Sequence, residues 1–306
     1  MIEELHSKSY QATVYLARYF LSIDINTKIK TVSEILEDVD FARGTIQNAI
    51  ELLRESKAIT LISHGKMGKR LLDKNIDLLM KFADINFIIG VMPLPYSKRY
   101  EGLSTGIIKE LKNKLSVPAT MAYMRGALKR IEMVISGRYD FAIISKYALN
   151  KFNNLNNNQL SIIANFGIDS FVSDHVLVFS DSTKVQIEDG MRIGIDYDSI
   201  DQAELTLLEI REKSVHLIPL SYTQFLSSIE DGTIDGVIWN ADEVIHPEKQ
   251  YKIVPLSRNN KDNTIAVMVT KSSMVETTKI LSKLIDVNEI INTQRKVLKG
   301  EMLPEY

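Results

Sequence analysis

The chain of 306 residues contains no cysteine, which excludes disulfide bonds, thiolate zinc sites and thiol nucleophiles together. Its net charge is only −2 at pH 7, so no basic coat covers it and any contact with nucleic acid must be local. No apolar run approaches the ~20 residues needed to cross a membrane. The start, Met1-Ile2-Glu3-Glu4-Leu5-His6, lacks the basic residues and apolar stretch of a secretion signal, and the expectation is a cytoplasmic protein without membrane contact. Five histidines are scattered at 6, 64, 175, 216 and 246. A Ser-His-Asp arrangement, a P-loop, a glycine-rich dinucleotide fingerprint and clustered metal ligands are all missing, so no catalytic residue, metal or cofactor is expected. His175 beside Asp174 and His246 near Glu248 are the best catalytic candidates, and neither has a partner nucleophile in view.

What is present begins with ordinary globular composition, 45% hydrophobic and 25% charged, at a length that suits two domains. The organising stretch is Phe41–Ser56, whose Ile46, Ala49, Ile50, Leu52 and Leu53 line one helical face and need a partner. Thr31 followed by Glu34 has capping-box spacing and predicts a short helix running to about Val39. A turn, Asp38–Phe41, then leads into a helix whose first turn carries Arg43, Gly44, Thr45, Gln47 and Asn48. Arginine suits guanine edges, and glutamine or asparagine suits adenine.

After it, Ala58–Ile62 and Arg70–Leu72 read as two short strands around Ser63-His64-Gly65-Lys66-Met67-Gly68-Lys69. The two glycines make a hairpin with His64, Lys66, Lys69 and Arg70 at or beside its tip. The order of helix, capped helix, turn, helix and basic hairpin is that of a winged helix-turn-helix, with Thr31 and Ser33 also facing DNA. The competing interpretation is a small helical domain with a charged surface, because acidic and basic residues nearly balance over 1–75. Tyr10–Leu21 reads as a first helix beneath the other two, its Tyr10, Tyr15 and Tyr19 serving the core or a dimer contact. The segment 73–85, with Ile76, Leu79, Met80 and Phe82, reads as a stiff helical connector.

From Asn86 strands alternate with helices. Phe87–Met92 is an apolar strand followed by the helix Gly102–Leu115. An internal echo is more informative. Ala119–Tyr123 leads to a helix at Ala127–Ser136 and then to Gly137-Arg138-Tyr139-Asp140 before an apolar strand. Val215–Pro219 leads to a helix at Tyr222–Glu230 and then to Gly232-Thr233-Ile234-Asp235 before another. A repeated strand, helix, Gly-x-x-Asp and strand predicts two similar lobes with a cleft between them. Val176–Phe179 and Thr264–Val269 are the candidate crossovers, and helices at Met274–Ile285 and on to Leu298 close the chain. The expected domains are 1–75 for DNA binding, 76–85 as connector and 86–306 as sensor. Lobe 1 is placed at about 86–175 with 268–306, and lobe 2 at about 176–267.

Open α/β sheets place ligand contacts at the carboxyl ends of strands. In lobe 1 these are Pro93, Pro95, Tyr96, Tyr100, Glu101, Tyr123, Arg125, Gly126, Ser145 and Lys146. In lobe 2 they are Asp196, Ser199, Ser221, Tyr222, Trp239 and Asn240. Arg125 at a helix start suits a carboxylate or phosphate, and Asp196 with Asp198 suits an amino or hydroxyl group. The alternatives are surface pairing of Arg125 with Glu101 or Glu132, and core packing for Tyr96, Tyr123 and Trp239.

Several stretches then carry a resemblance: MPLPY at Met92–Tyr96, YEGL at Tyr100–Leu103, MRGA at Met124–Ala127, YDFAIIS at Tyr139–Ser145, DQ at Asp201-Gln202, LSY at Leu220–Tyr222, DGVIWN at Asp235–Asn240 and QRKVLKGEMLPEY at Gln294–Tyr306. With these the chain resembles YhfZ-type transcriptional regulators, and residues 41–70 resemble the winged-helix domain of GntR-type repressors. The resemblance implies an α/β effector domain of the type-2 periplasmic-binding-protein fold behind the winged helix-turn-helix, and a cytoplasmic regulator; it does not name the inducer. The expected protein is a homodimer that binds a double-stranded operator, its affinity altered by a small polar or anionic effector in the cleft. The alternative is an enzyme of small-molecule metabolism on the same scaffold.

Overall fold

Ser7 accepts the backbone N–H of Tyr10 and so opens α1 (Lys8–Ser22), which buries Ala12, Leu16, Ala17, Phe20 and Leu21. This computed structural model describes residues 7–65, 68–243, 251–257 and 261–305. The capping box forms as its spacing predicts. Thr31 Oγ1 takes the Glu34 N–H at 3.3 Å, the Glu34 carboxylate takes the Thr31 N–H at 2.6 Å, and α2 runs Val32–Asp38. In α3 (Arg43–Glu55) Ile46, Ala49 and Leu53 are buried. Leu52, expected on the same face, is 45% exposed, because it sits about 100° round the helix from Leu53. Tyr15 and Tyr19 belong to this layer: the Tyr15 hydroxyl donates to Asp38 and the Tyr19 hydroxyl accepts the Lys30 N–H.

β1 (Ile59–Ser63) and β2 (Lys69–Lys74) form the antiparallel hairpin. The segment Asn26–Ile29 lies along β2 through Asn26 N to Leu71 O at 2.7 Å and Ile29 N to Lys69 O at 3.0 Å, an edge the sequence pattern did not announce. β2 absorbs Asp73 and Lys74, and the Lys74 ammonium donates to the carbonyls of Phe20, Leu21 and Ile23 at the end of α1. The helical part of the presumed connector is therefore short, α4 (Ile76–Phe82), and it packs on α1 with Leu79 and Met80 buried.

The larger part of the chain holds two five-stranded sheets. Lobe 1 contains β3 (Ile88–Met92), α5 (Lys98–Lys114), β4 (Ala119–Tyr123), α6 (Ala127–Ile135), β5 (Phe141–Ser145), α7 (Lys146–Leu155) and β6 (Leu160–Asn165). Lobe 2 contains β7 (His175–Phe179), β8 (Arg192–Ile195), α8 (Ile200–Glu209), β9 (His216–Pro219), a 3-10 turn at Tyr222–Gln224, α9 (Phe225–Glu230), β10 (Gly236–Asn240) and β11 (Lys252–Pro255). The chain returns to lobe 1 as β12 (Ala266–Lys271) and ends in α10 (Val275–Leu284) and α11 (Val287–Leu298). The sheet orders are β4-β3-β5-β12-β6 and β11-β7-β10-β8-β9. The strands foreseen as crossovers, β12 and β7, run antiparallel to β5 and β10 respectively. Phe87 is 58% exposed and precedes its strand. By contacts the chain divides into two compact units, Met1–Ile88 with Lys112–Ala119 and Met274–Lys283, and Ile89–Leu111 with Thr120–Ser273 and Leu284–Tyr306. Among the described residues no helix is long and apolar enough to cross a membrane.

The echo in the sequence is an echo in hydrogen bonding. Gly137 and Gly232 end α6 and α9 with φ of 76° and 74°, a backbone that glycine adopts without a Cβ penalty. Three residues on, the Asp140 carboxylate takes the Ile89 N–H at 2.8 Å and the Asp235 carboxylate takes the Arg192 N–H at 2.7 Å. Each aspartate thereby pins the start of one parallel strand to the next, β3 to β5 and β8 to β10.

Helix α11 lies against α5 at two glycines. A Cβ on Gly102 would stand 3.0 Å from Gln294 O, and one on Gly106 would stand 2.8 Å from Ile290 O. At Gly44 in α3, by contrast, a Cβ would meet nothing within 4 Å. Gly106→Ala is therefore expected to destabilise the protein by about 1–3 kcal/mol, and Gly44→Ala to leave it unchanged or up to ~1 kcal/mol more stable, both read as chemical-denaturation midpoints of the purified variants.

Candidate functional site

The amino-terminal unit presents an exposed, uncapped helix start. Arg43, Gly44, Gln47 and Asn48 of α3 are exposed and Thr45 is half-buried; the N-cap position, Ala42, supplies no side-chain bond. Arg43 Nη1 reaches Ser33 Oγ at 3.5 Å, so the capped helix and the candidate reading helix meet at the residues singled out for DNA. Thr31 is occupied as the cap of α2. On the hairpin His64 and Lys69 are exposed, whereas Arg70 donates through Nη1 to Asn26 O at 2.6 Å and serves the wing's own structure. Lys66 lies outside the described residues, as do His246 and Glu248.

In the carboxy-terminal unit the ends of β3, β4, β8 and β10 converge on a cavity of about 80 Å³ between the lobes. Of the residues expected to bind ligand, Pro93, Tyr96, Tyr100, Arg125, Gly126, Asp196, Ser199, Tyr222 and Asn240 line it. The others sit elsewhere. Tyr123 shares a 2.6 Å hydrogen bond with Ser104 on α5, and Lys146 pairs with Asp262 at 3.0 Å. Ser145 caps α7 and Ser221 caps the 3-10 turn. Pro95 and Glu101 are half-buried away from the cavity wall. Trp239, 4% exposed, packs with Val178, Phe225, Ile229, Ile234 and Val237 in the lobe 2 core, since alternation along β10 turns its ring to the opposite face from Ile238 and Asn240. Its indole N–H reaches Glu243 at 3.4 Å.

Arg125 does not meet Glu101 or Glu132. From lobe 1 it crosses the cleft and donates to Asp196 at 3.0 Å and Asp198 at 2.8 Å, both on the loop after β8. Lys129 joins Asp198 at 2.8 Å. Asp196 is 3% exposed and also accepts the backbone N–H groups of Asp198 and Tyr222, the satisfaction that a buried carboxylate requires. Gly126, at φ +81°, admits this approach: a Cβ there would stand 3.0 Å from Asp198 O. Farther in, Ser145 of lobe 1 donates to Asp201 of α8, and Tyr96 stacks on Tyr222 with ring centroids 6.0 Å apart. The lobes are closed on one another.

Four further groups stand in the wall: His175, which the sequence offered only as a catalytic candidate, Asp201, which it offered only within the DQ stretch, and Arg130 and Glu243, which sequence reasoning passed over. Burial drives the His175 imidazole down to about 4, so it is neutral at pH 7, and its backbone N–H bonds Asp174. Burial also raises Glu243, which accepts from Tyr222, Trp239 and Asn240. Asp242, beside it, pairs with Arg99 at 2.9 Å and takes the Ser173 N–H, fixing the chain where it passes between lobes. Glu243 follows the DGVIWN stretch by three residues, a signal that could have pointed to it; Arg130 carried none beyond being charged on the apolar side of α6. Among the described residues no group of three or more histidines and carboxylates is placed to hold a metal ion.

The chain matches the family model of the YhfZ C-terminal domain over residues 75–306 and that of a helix-turn-helix domain over 25–71. It belongs to the YhfZ family. It is 29% identical over 298 residues to the YhfZ protein of Escherichia coli (strain K12), with 95% of each chain covered. The crystal structure of YhfZ from Shigella flexneri aligns with 75% of this chain and 97% of its own at a TM-score of 0.61 and 31% identity. An ancestral arginine-binding protein bound to arginine aligns with 70% of this chain and 97% of its own at a TM-score of 0.53 and 13% identity, a likeness of fold. This YhfZ-family chain thus joins a helix-turn-helix DNA-binding domain to a periplasmic-binding-protein-like domain, the organisation of a DNA-binding regulator.

In the YhfZ-family cleft Asp201 is a carboxyl that burial shifts toward neutrality. Burial raises its carboxyl to about 6 against the Ser145 hydrogen bond, so the folded protein takes up its proton earlier than the unfolded chain does. The cost of keeping it ionised, about 3 kcal/mol at most, is fully present above pH 6 and relieved as pH falls toward the ordinary aspartate range. Relative to Asp201→Asn, the wild type is expected to gain on the order of 1 kcal/mol in unfolding free energy between about pH 7.5 and 5. Parallel urea titrations of the two proteins measure it.

Proposed function

We propose that this protein is a cytoplasmic, homodimeric transcriptional regulator in which a small polar or anionic metabolite held between the lobes changes operator affinity. The observation that carries the reading is the cleft itself: a cavity walled from both lobes and bridged by Arg125 with Asp196 and Asp198, on a chain that also carries a helix-turn-helix. Such a cleft gives a ligand what it needs to act at a distance, two lobe arrangements that it binds unequally. In this reading Arg43, Gln47 and Asn48 touch base edges, Gly44 and Thr45 let the helix start approach, and Thr31 and Ser33 meet the backbone. His64 and Lys69, with Lys66, hold the neighbouring phosphates. Arg70 contributes less, because its guanidinium is engaged at Asn26.

The two kinds of contact separate experimentally. Arg43→Ala is expected to lose about 1–3 kcal/mol of affinity on the preferred operator and little on random DNA. Lys69→Ala is expected to weaken binding on every sequence and to lower the slope of log K against log salt by about one. Fluorescence anisotropy on selected and scrambled duplexes over a salt series distinguishes them, and equal losses on both duplexes for Arg43→Ala would remove its base-reading role.

A further inference from the structure

Two arginines line the cavity, and they are in opposite electrostatic states. Arg125 is neutralised: each terminal nitrogen donates to a carboxylate. Arg130, only 4% exposed, spends Nε on Ile143 O at 3.1 Å and Nη1 on Met124 O at 2.8 Å. Both acceptors are carbonyls, which orient a guanidinium without cancelling its charge. Arg130 forms no ion pair among the described residues, and its remaining nitrogen, Nη2, donates to none of them. Nor is Nη2 sealed in the core, since the buried side-chain atoms without a partner are those of Asn263. The side chain lines the cavity, as do Gly126 and Ala127, where α6 begins without a side-chain cap.

A buried cation left without a counter-charge is costly, and a helix start with free N–H groups in the same wall has the same appetite. Asp201 supports the Arg130 charge through space, but it accepts from Ser145 at both oxygens rather than from the guanidinium, so no carboxylate bonds Arg130 directly. The cavity holds about 80 Å³; at roughly 11 Å³ for each water-sized site, that is space for a ligand of about five to ten non-hydrogen atoms.

We propose that Arg130 anchors the effector, that the group it anchors is the carboxylate of a small monoanionic acid, and that Arg125 is the latch between the lobes. Arg130 positions the acid from the floor of lobe 1. A single carboxylate matches one free guanidinium nitrogen and one helix start, whereas a phosphate dianion would bring a second negative charge toward Asp201 and Glu243. This inference rests on the interlobe cleft being the effector site.

The test uses full-length protein and the sodium salts of propionate, lactate and pyruvate, each beside its neutral amide, with inorganic phosphate and matched sodium chloride as further arms. Binding is read from thermal denaturation curves over a concentration series. At least one acid is expected to bind tenfold or more tightly than its amide and than phosphate. Arg130→Met is expected to remove that preference, and Arg138→Met, at an exposed arginine outside the cleft, to retain it. Arg130→Lys, which keeps the charge without the planar fork, is expected to weaken the acid at least tenfold, and it serves where Arg130→Met does not fold. Amides equal to acids, phosphate preferred to every acid, no binding by any acid, or a preference kept with Arg130→Met each overturns the assignment. Acid binding that is equally strong in wild type, Arg130→Met and the cleft variant Tyr222→Ala contradicts the cleft reading as well.

Discussion

The arrangement of the effector domain depends on one carboxylate, that of Asp196. It stands at the end of β8, almost wholly buried, and is satisfied by one charged donor from the opposite lobe and two backbone N–H groups from its own. Removing one partner from such a buried pair typically costs about 3–5 kcal/mol, because the other charge is left stranded. The exposed Lys129 and Asp198 contact is worth less than about 1 kcal/mol. The Arg125 and Asp196 pair is therefore the costliest of the contacts between the lobes to break, beside the Ser145 and Asp201 bond and the stacking of Tyr96 on Tyr222. A contact of this kind lets two lobe positions lie within a few kcal/mol of each other, the range in which a small ligand can choose between them.

Duplication supplies the frame around that contact. Asp140 and Asp235 bind the starts of β3 and β8 in the same way, and Gly137 and Gly232 turn the preceding helices into them with matching backbone angles. The carboxyl ends of both sets of strands are consequently aimed at the same gap. The halves then diverge in charge: lobe 1 presents Arg125 and Arg130, while lobe 2 presents Asp196, Asp201 and, after β10, Glu243. Two copies of one scaffold thus carry complementary linings, and it is the lining rather than the fold that selects a ligand.

Features with a short-range cause were legible in the sequence. The Thr31 and Glu34 box, the glycine hairpin and the repeated Gly-x-x-Asp are decided by residues close to one another, and the structure has them where the spacing puts them. Two of the four edge strands were not. β6 and β11 each form one edge of a sheet and are partly exposed, so their patterns were too weak to announce them, whereas β4 and β9 at the opposite edges were carried by the repeat. The site was legible as a set of loops but not as a set of pairs. That Arg125 would meet Asp196 and Asp198, that Trp239 would turn into the core, and that Arg130 would face the cavity all depend on which way a strand or helix is rotated in its lobe. A substitution of 71 residues in sequence separation into 3.0 Å in space, as for Arg125 and Asp196, is the work of the sheet order.

The central claim is that closing the cleft alters DNA binding, and the absence of cysteine makes it directly testable. A Cβ built on Gly126 would lie 3.2 Å from that of Asp198, so a shift of a few tenths of an ångström brings the pair into the range of about 3.5–4.5 Å between Cβ atoms in disulfides. The left-handed backbone at 126 costs a side chain about 1–2 kcal/mol, which a crosslink worth about 2–4 kcal/mol offsets. The decisive measurement is the affinity of the Gly126→Cys, Asp198→Cys double variant for a genomic fragment selected by the wild type, before and after reduction, with the crosslink verified by mass. The account predicts a difference of about 5- to 150-fold between locked and released protein. The same affinity in both forms would contradict it.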